Sequence, residues 1–312
     1  MDGILVINKV SGPTSFAIVA KVRRITGEKR VGHGGTLDPL ASGVLPLFLG
    51  QATRLVEYLQ EYPKTYRAGI ILGVSTDTFD AEGRVINSTD FNSELIAQSS
   101  RLLPSLLPSF LGTISQTPPV FSALKKNGQP LYKLARQGVA PEIEARLVTI
   151  HRIDIVDFRP PLLTLDIECS RGTYIRSLAH DLGQRMGVGA HLKSLARTAY
   201  GPFDITDSVT LEQLQPAVDS NPPHSSYSEN VSSRETIERL SSFLKPLDSV
   251  LSNLPPITLT AEQERDARNG RQLSLDVVLG RRLRAYSQSG RFMAVLASDA
   301  VSSLWQPEKV FN

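Results

Sequence analysis

Residues 162–183 read LLTLDIECSRGTYIRSLAHDLG. Leu163, Leu165, Ile167 and Cys169 fall on one face and Thr164, Asp166 and Glu168 on the other, the period of a half-buried strand. Arg171-Gly172 makes a turn. Thr173 is placed to cap a helix, of which Ile175, Leu178 and Leu182 form one stripe. Residues 147–158 alternate in the same way. Further out, residues 3–8 and 44–49 and Tyr66 to Leu72 read as strands. Helices are expected from Phe16 to Ile25, capped by Thr14 or Ser15 and ended by Gly27, and from Ala52 to Tyr62, with Leu55, Tyr58 and Leu59 on one face. The loop through Asp77, Asp80 and Gly83 reads as a hairpin connection. Helical spacing from Ser93 to Phe110 is broken by Pro104 and Pro108, and Leu131 to Gln137 reads as a short helix. Many strands separated by irregular loops predict an α+β fold on a mixed, largely antiparallel sheet.

The pattern changes at Gln215. Six serines and three prolines stand in the 20 residues to Arg234, which predicts a flexible insert. Four segments follow: a catalytic unit 1–214, the insert 215–234, a connecting helix within 235–254 packed on that unit, and a small β-rich unit 255–312. The last reads as separable, so a chain cut near Leu254 is expected to keep the chemistry.

The 312 residues are 41% hydrophobic and 21% charged, which supports a sizeable core and excludes wholesale disorder. Cys169 is the single cysteine, so an intrachain disulfide and a multi-cysteine zinc site are excluded. No apolar run is long enough to span a bilayer, and MDGILVINK is not a secretory leader. A cytoplasmic protein with no membrane contact is expected. The net charge of +3 is compatible with nucleic acid but does not establish it.

GxxxxGK[ST], GxSxG and HExxH are absent, and Gly32-His33-Gly34 meets Leu37 where a third dinucleotide-loop glycine belongs. Neither a nucleotide cofactor nor a metal is expected. The segment 31–50, VGHGGTLDPLASGVLPLFLG, sets one carboxylate, Asp38, among small residues ahead of an apolar strand. Small residues admit a close planar ligand. On the same residues, Asp38 also reads as an Asx-type turn before Pro39.

The stretch 32–50, GHGGTLDPLASGVLPLFLG, resembles the catalytic motif of the TruB family of tRNA pseudouridine synthases. KTYR at 64–67 followed by STDTFDAEG at 75–83 resembles its tyrosine motif. QTPPVFSALKKNGQPLYKLARQG at 116–138 resembles its third block, and CSRGTYIRSLAHDLG at 169–183 its arginine motif. LPPITLTAEQERDARNGRQL at 254–273 resembles the start of its C-terminal PUA-type RNA-binding domain. Two departures are visible: Val10 follows Lys9 where the family usually has proline, and the serine-rich stretch looks inserted.

The resemblance implies a pseudouridine synthase-type catalytic domain with a PUA-like domain. It also implies conversion of uridine to pseudouridine at position 55 in the TΨC arm of tRNA, without cofactor, by an enzyme expected to be a monomer. Asp38 matches the essential carboxylate, Arg176 its arginine partner and Tyr66 the tyrosine that stacks on the extruded base. His33 matches the residue that enters the space the base leaves. Lys9, Lys125 and Lys126 are expected on RNA phosphates. So are Arg281 and Arg282, from a run of seven arginines without lysine between 265 and 291. A catalytically silent RNA-binding protein on the same scaffold is the competing reading. Intact Asp38, Tyr66 and Arg176 argue against it.

Overall fold

The structure, a computed structural model, describes residues 1–121, 125–126, 129–130, 143–214, 238–276, 280–299 and 304–311. The expected helix at 131–137 and the serine-rich insert lie outside them. In chain order the strands are β1 (Gly3–Lys9), β2 (Val31–His33), β3 (Ser42–Leu49), β4 (Lys64–Leu72), β5 (Val74–Thr76), β6 (Val85–Ser88) and β7 (Gly112–Gln116). Next come β8 (Lys125–Lys126), β9 (Gln129–Pro130), β10 (Arg146–Arg159), β11 (Leu162–Cys169), β12 (Ala190–Tyr200), β13 (Phe203–Asp204) and β14 (Leu244–Lys245). A ten-stranded sheet runs β14-β1-β3-β12-β4-β11-β10-β7, with β13 on β12 and β2 on β3. Its pairs are antiparallel except β12 against β3. The predicted largely antiparallel α+β architecture is what is seen.

Local chemistry accounts for most elements. The helix Ser15–Thr26 starts where Thr14 accepts from the Ala17 amide and stops at Gly27, whose φ of 67° is the left-handed cap of a helix end. β11 buries Leu163, Leu165, Ile167 and Cys169, the face the alternation predicts. β5 and β6 form the expected hairpin around Asp77–Gly83. Four expectations need correction. Residues 50–55 wind as 3₁₀ turns before one α turn, Val56–Leu59, because Gly50 opens the segment at φ 58°. The helix Ser93–Leu106 runs through Pro104, kept in place by buried Leu103 and Leu107; the Leu107 amide still bonds to Leu103. Thr173 does not cap the next helix: its hydroxyl turns back to the Ser170 carbonyl. Gln116 holds that helix start instead, taking the Tyr174 amide at 2.8 Å and giving to the Tyr174 carbonyl at 3.0 Å. Finally, the connecting helix stops at residue 242, and Leu244–Lys245 joins β1 as an edge strand.

The C-terminal strands Pro256–Thr258, Arg282–Tyr286, Phe292–Ser298 and Trp305–Val310 form a separate four-stranded sheet, with a helix at Ala261–Arg268 that the strand reading missed. This β-rich unit is not independent of the large sheet. Val295 and Phe311 enter one apolar cluster with Ile4, Val6, Phe48 and Leu55. Around it Arg54 donates to the Val310 carbonyl at 2.6 Å, Lys309 meets Glu57 at 2.8 Å, and Arg282 meets Glu61 at 3.3 Å. Cutting near Leu254 therefore strips a core face, contrary to the separable reading. Phe311→Ala should destabilise the whole chain by about 3–5 kcal/mol. Denaturant unfolding followed on the catalytic unit checks this; an unchanged midpoint would show that the two units do not share a core.

Candidate active site

Asp38 sits in the loop between β2 and β3, a loop tied down along its length. The Ser15 hydroxyl donates to the Leu37 carbonyl at 3.1 Å and accepts from the Leu37 amide at 2.8 Å. The Gly12 amide reaches the Pro39 carbonyl at 2.8 Å, and Tyr200 and Arg197 on β12 donate to Gly34 and Gly35 carbonyls at 3.2 and 3.1 Å. At Gly43, φ is 96° and a Cβ would lie 2.2 Å from the Arg197 carbonyl, so only glycine lets β3 approach β12 there. The loop that carries the carboxylate is thus a rigid support.

Arg176 enters from the opposite side, on the first turn of the helix Ile175–Arg185. Its side chain is buried and lies between two carboxylates, with Nη2 2.9 Å from Asp38 Oδ2 and Nη1 3.2 Å from Asp80 Oδ2. Carbonyls of Thr78 and Phe121 accept further bonds from Nη1 and Nη2 at 3.4 and 3.1 Å, while the Nε–H is left buried without a partner among the described residues. Asp80 is itself buried, accepting from the Thr78 hydroxyl at 2.6 Å and the Glu82 amide at 3.1 Å. Asp38 differs: 41% of its side chain is exposed, so it is both ion-paired and open to a ligand.

Tyr66 forms the floor, almost fully buried in β4. Burial pushes its phenol well above the ordinary value, only partly offset by Arg197, its cross-strand neighbour. The hydroxyl therefore keeps its proton at neutral pH. Asp38, Tyr66, Arg176, Thr173, Tyr174 and Leu195 enclose a cleft of about 90 Å³. That suits one planar ring rather than the roughly 300–1,000 Å³ occupied by larger ligands.

Residues 23–175 match the profile described as TruB family pseudouridylate synthase (N terminal domain), and residues 176–252 match tRNA pseudouridylate synthase B C-terminal domain. A tRNA pseudouridine synthase B of Dehalococcoides mccartyi strain 195 is 44% identical over all of this chain and 97% of its own. The chain belongs to the TruB family of pseudouridine synthases. It is an isomerase that acts on tRNA. The protein of the same name from Pseudomonas aeruginosa UCBPP-PA14 is 40% identical over 95% of this chain and 91% of its own. Among solved structures, one described as a Cbf5-Nop10-Gar1 complex superposes with a TM-score of 0.68 at 25% identity, covering 99% of this chain and 85% of that one.

Within this TruB chain the structure brings Asp38, Tyr66 and Arg176 together. His33 stands on β2, half-buried, with Nδ1 unbonded. Burial and then Arg197 lower its pKa, so the ring is neutral at neutral pH. Lys9 departs from its expected place on phosphates. It is fully buried, and its ammonium donates to the Val10 carbonyl at 2.9 Å and the Pro39 carbonyl at 3.3 Å, beside Asp38. Burial brings its pKa down to about 8. Lys125 and Lys126 lie on the short hairpin β8–β9; their side chains are outside the described residues. Arg281 is exposed, but Arg282 is committed to Glu308 at 2.8 Å and to Glu61, a clamp between the two units rather than a free cation. Among the described residues no three His, Cys, Asp or Glu side chains converge as metal ligands do, and no helix is long and apolar enough to cross a membrane.

Two residues escaped the sequence reading of the site. Asp80 was readable only as part of a turn, yet it holds the far side of Arg176. Arg197 carried no local signal; it is fully buried, and its guanidinium reaches the Val44 carbonyl at 2.7 Å as well as Gly35. Asp80→Asn should leave tRNA affinity within a few fold and lower kcat roughly tenfold or more, since a charged hydrogen bond to Arg176 is lost. Single-turnover kinetics against a binding isotherm checks this; an unchanged kcat would remove Asp80 from the positioning of Arg176.

Proposed function

We propose that the protein, acting as a monomer, isomerises the uridine at position 55 in the T-arm loop of tRNA. The observation that carries this reading is the buried Arg176 holding partly exposed Asp38 at 2.9 Å in a cleft that Tyr66 also lines. All of these groups come from one chain, so the site needs no second copy. The base must leave its stack to reach them, at a cost of a few kcal/mol. Stacking on Tyr66 returns about 1–3 kcal/mol, and His33, a neutral half-buried ring on β2, fills the vacated space.

Asp38 acts on the sugar. The N1–C1′ bond breaks, the uracil turns, and C5 bonds to C1′. The proton leaves C5 and N1 ends protonated, so nothing is oxidised and no group is lost. Arg176 pairs with the Asp38 carboxylate and orients it. The Tyr66 hydroxyl, still protonated, relays the C5 proton while its ring holds the base. Whether the carboxylate attacks C1′ or takes the 2′-proton is decided by a 2′-deuterium isotope effect, which only the second route produces. The catalytic work falls to residues 1–214. Residues 255–312, with Arg281 exposed, add phosphate contacts to full-length tRNA.

Asp38→Asn keeps size and loses charge. It should abolish tritium release from [5-³H]uridine in tRNA while binding stays within a few fold. A purified variant keeping more than about a tenth of the wild-type rate would be inconsistent with the essential carboxylate, given the tens-fold weight of charged contacts. Tyr66→Phe keeps the ring and loses the relay, so turnover should fall sharply with little change in affinity. Full turnover would free the hydroxyl of that role.

A further inference from the structure

Lys64 opens β4 two residues before Tyr66, so the strand period puts both side chains on one side of the sheet. Its ammonium lies 4.9 Å from the centre of the Tyr200 ring, and the Arg197 guanidinium lies 5.0 Å from the same centre. Across the sheet Lys64 pairs with Tyr200 on β12 and with Cys169 on β11. Directly after Cys169 comes the Ser170–Arg171–Gly172 turn that leads to Thr173 and Tyr174 in the cleft wall. The charged or titratable groups facing Lys64 are therefore Arg197, Arg171, the Cys169 thiol and the Tyr200 phenol, which burial pushes up to about 12. Burial raises that thiol to about 11, so it is neutral. Among the described residues no carboxylate lies within ion-pair distance of Lys64, Arg171 or Arg197.

Lys64 and the exposed Arg171, with no ion-paired carboxylate and with buried Arg197 adding to the positive field, make a place for an external anion two residues along β4 from Tyr66. The enzyme's substrate supplies one. A base stacked on Tyr66 leaves its ribose at the mouth beside Asp38, and the flanking phosphates within about one nucleotide step. Lys64 stands roughly 7 Å along the strand from Tyr66, two residues at about 3.3–3.4 Å each. Resting on the proposed uridine isomerisation, we propose that Lys64, with exposed Arg171 beside it, binds the one RNA phosphodiester that adjoins the extruded uridine. Lysine suits this as a compact point charge that meets a phosphate from any side. A phosphate here also offsets the repulsion from Arg197, which with burial holds the free Lys64 near pKa 8. The site thus binds best below pH 8 and weakens as Lys64 loses its proton above it.

The test uses full-length protein and synthetic T-arm stem-loops carrying [5-³H]uridine at the target. One loop linkage at a time is replaced by an uncharged methylphosphonate. Turnover of the all-phosphate stem-loop by wild type comes first; its absence would defeat the isomerisation reading itself. With turnover established, one linkage adjoining the target should cost wild type about tenfold in kcat/KM, mostly through KM, as loss of a charged hydrogen bond does. Lys64→Met, which keeps the packing on Tyr200, should lose about the same on the all-phosphate substrate and nothing further at that linkage. Its salt slope should be shallower by about 0.7–0.9. Lys64→Arg stays charged, so its KM should remain flat above pH 8 where that of wild type rises. The arginine arm also separates Lys64 from Lys9, whose pKa is similarly placed, and stands if the methionine variant does not fold. Lys64→Met with wild-type KM, additive losses at the linkage, or identical pH profiles for wild type and Lys64→Arg would each overturn the phosphate site.

Discussion

A guanidinium buried between two carboxylates organises this molecule. Removing a charge from water costs several kcal/mol, and Arg176 is viable inside the fold because Asp38, Asp80 and two carbonyls take up its terminal Nη donors. The partners come from three segments: the β2–β3 loop, the hairpin after β5 and the residues past β7. Losing one member of a buried pair of this kind costs about 3–5 kcal/mol. The same contact therefore fastens three loops and fixes the reacting carboxylate. Asp80 and Arg176 are closed off, and only Asp38 keeps an open side.

Around that centre the fold supplies stiffness. β12 lies mid-sheet, parallel to β3 and antiparallel to β4, so it touches both the strand after the Asp38 loop and the strand that carries Tyr66. From it Arg197 and Tyr200 reach under the loop to hold the Gly34 and Gly35 carbonyls. Lys9 does the same from β1 through Pro39. Three basic or aromatic side chains thus serve the backbone of one loop, which is why Lys9 is not free for RNA. Phe79 adds to the frame. Its φ of 64° is costly for a bulky residue, and its ring stacks on His180 at 3.9 Å, one turn past Arg176 on the same helix.

Much of this architecture is legible in the chain. The alternation of β11, the Gly27 stop and the stripe Ile175, Leu178, Leu182 are local signals, and local signals survive folding. The trio Asp38, Tyr66 and Arg176 came from motif resemblance, not from spacing, because 28 and 110 residues separate them in turn. What stayed hidden is long-range. Nothing near Asp80 announces Arg176, nothing near Arg197 announces Gly35, and Gln116 replaces Thr173 at a helix start 58 residues away. Charge was misread for the same reason. Arg282 belongs to a basic run in sequence but to Glu308 and Glu61 in space, and Phe311 joins a core that includes Ile4, Phe48 and Leu55, about 250 residues or more earlier in the chain.

The central claim is that this arrangement acts on one uridine of the T arm. The most direct measurement incubates the protein with unmodified full-length tRNA and maps pseudouridine at single-nucleotide resolution. The account predicts stoichiometric pseudouridine at position 55 and background levels at every other uridine. Modification elsewhere, with position 55 left as uridine, would contradict it.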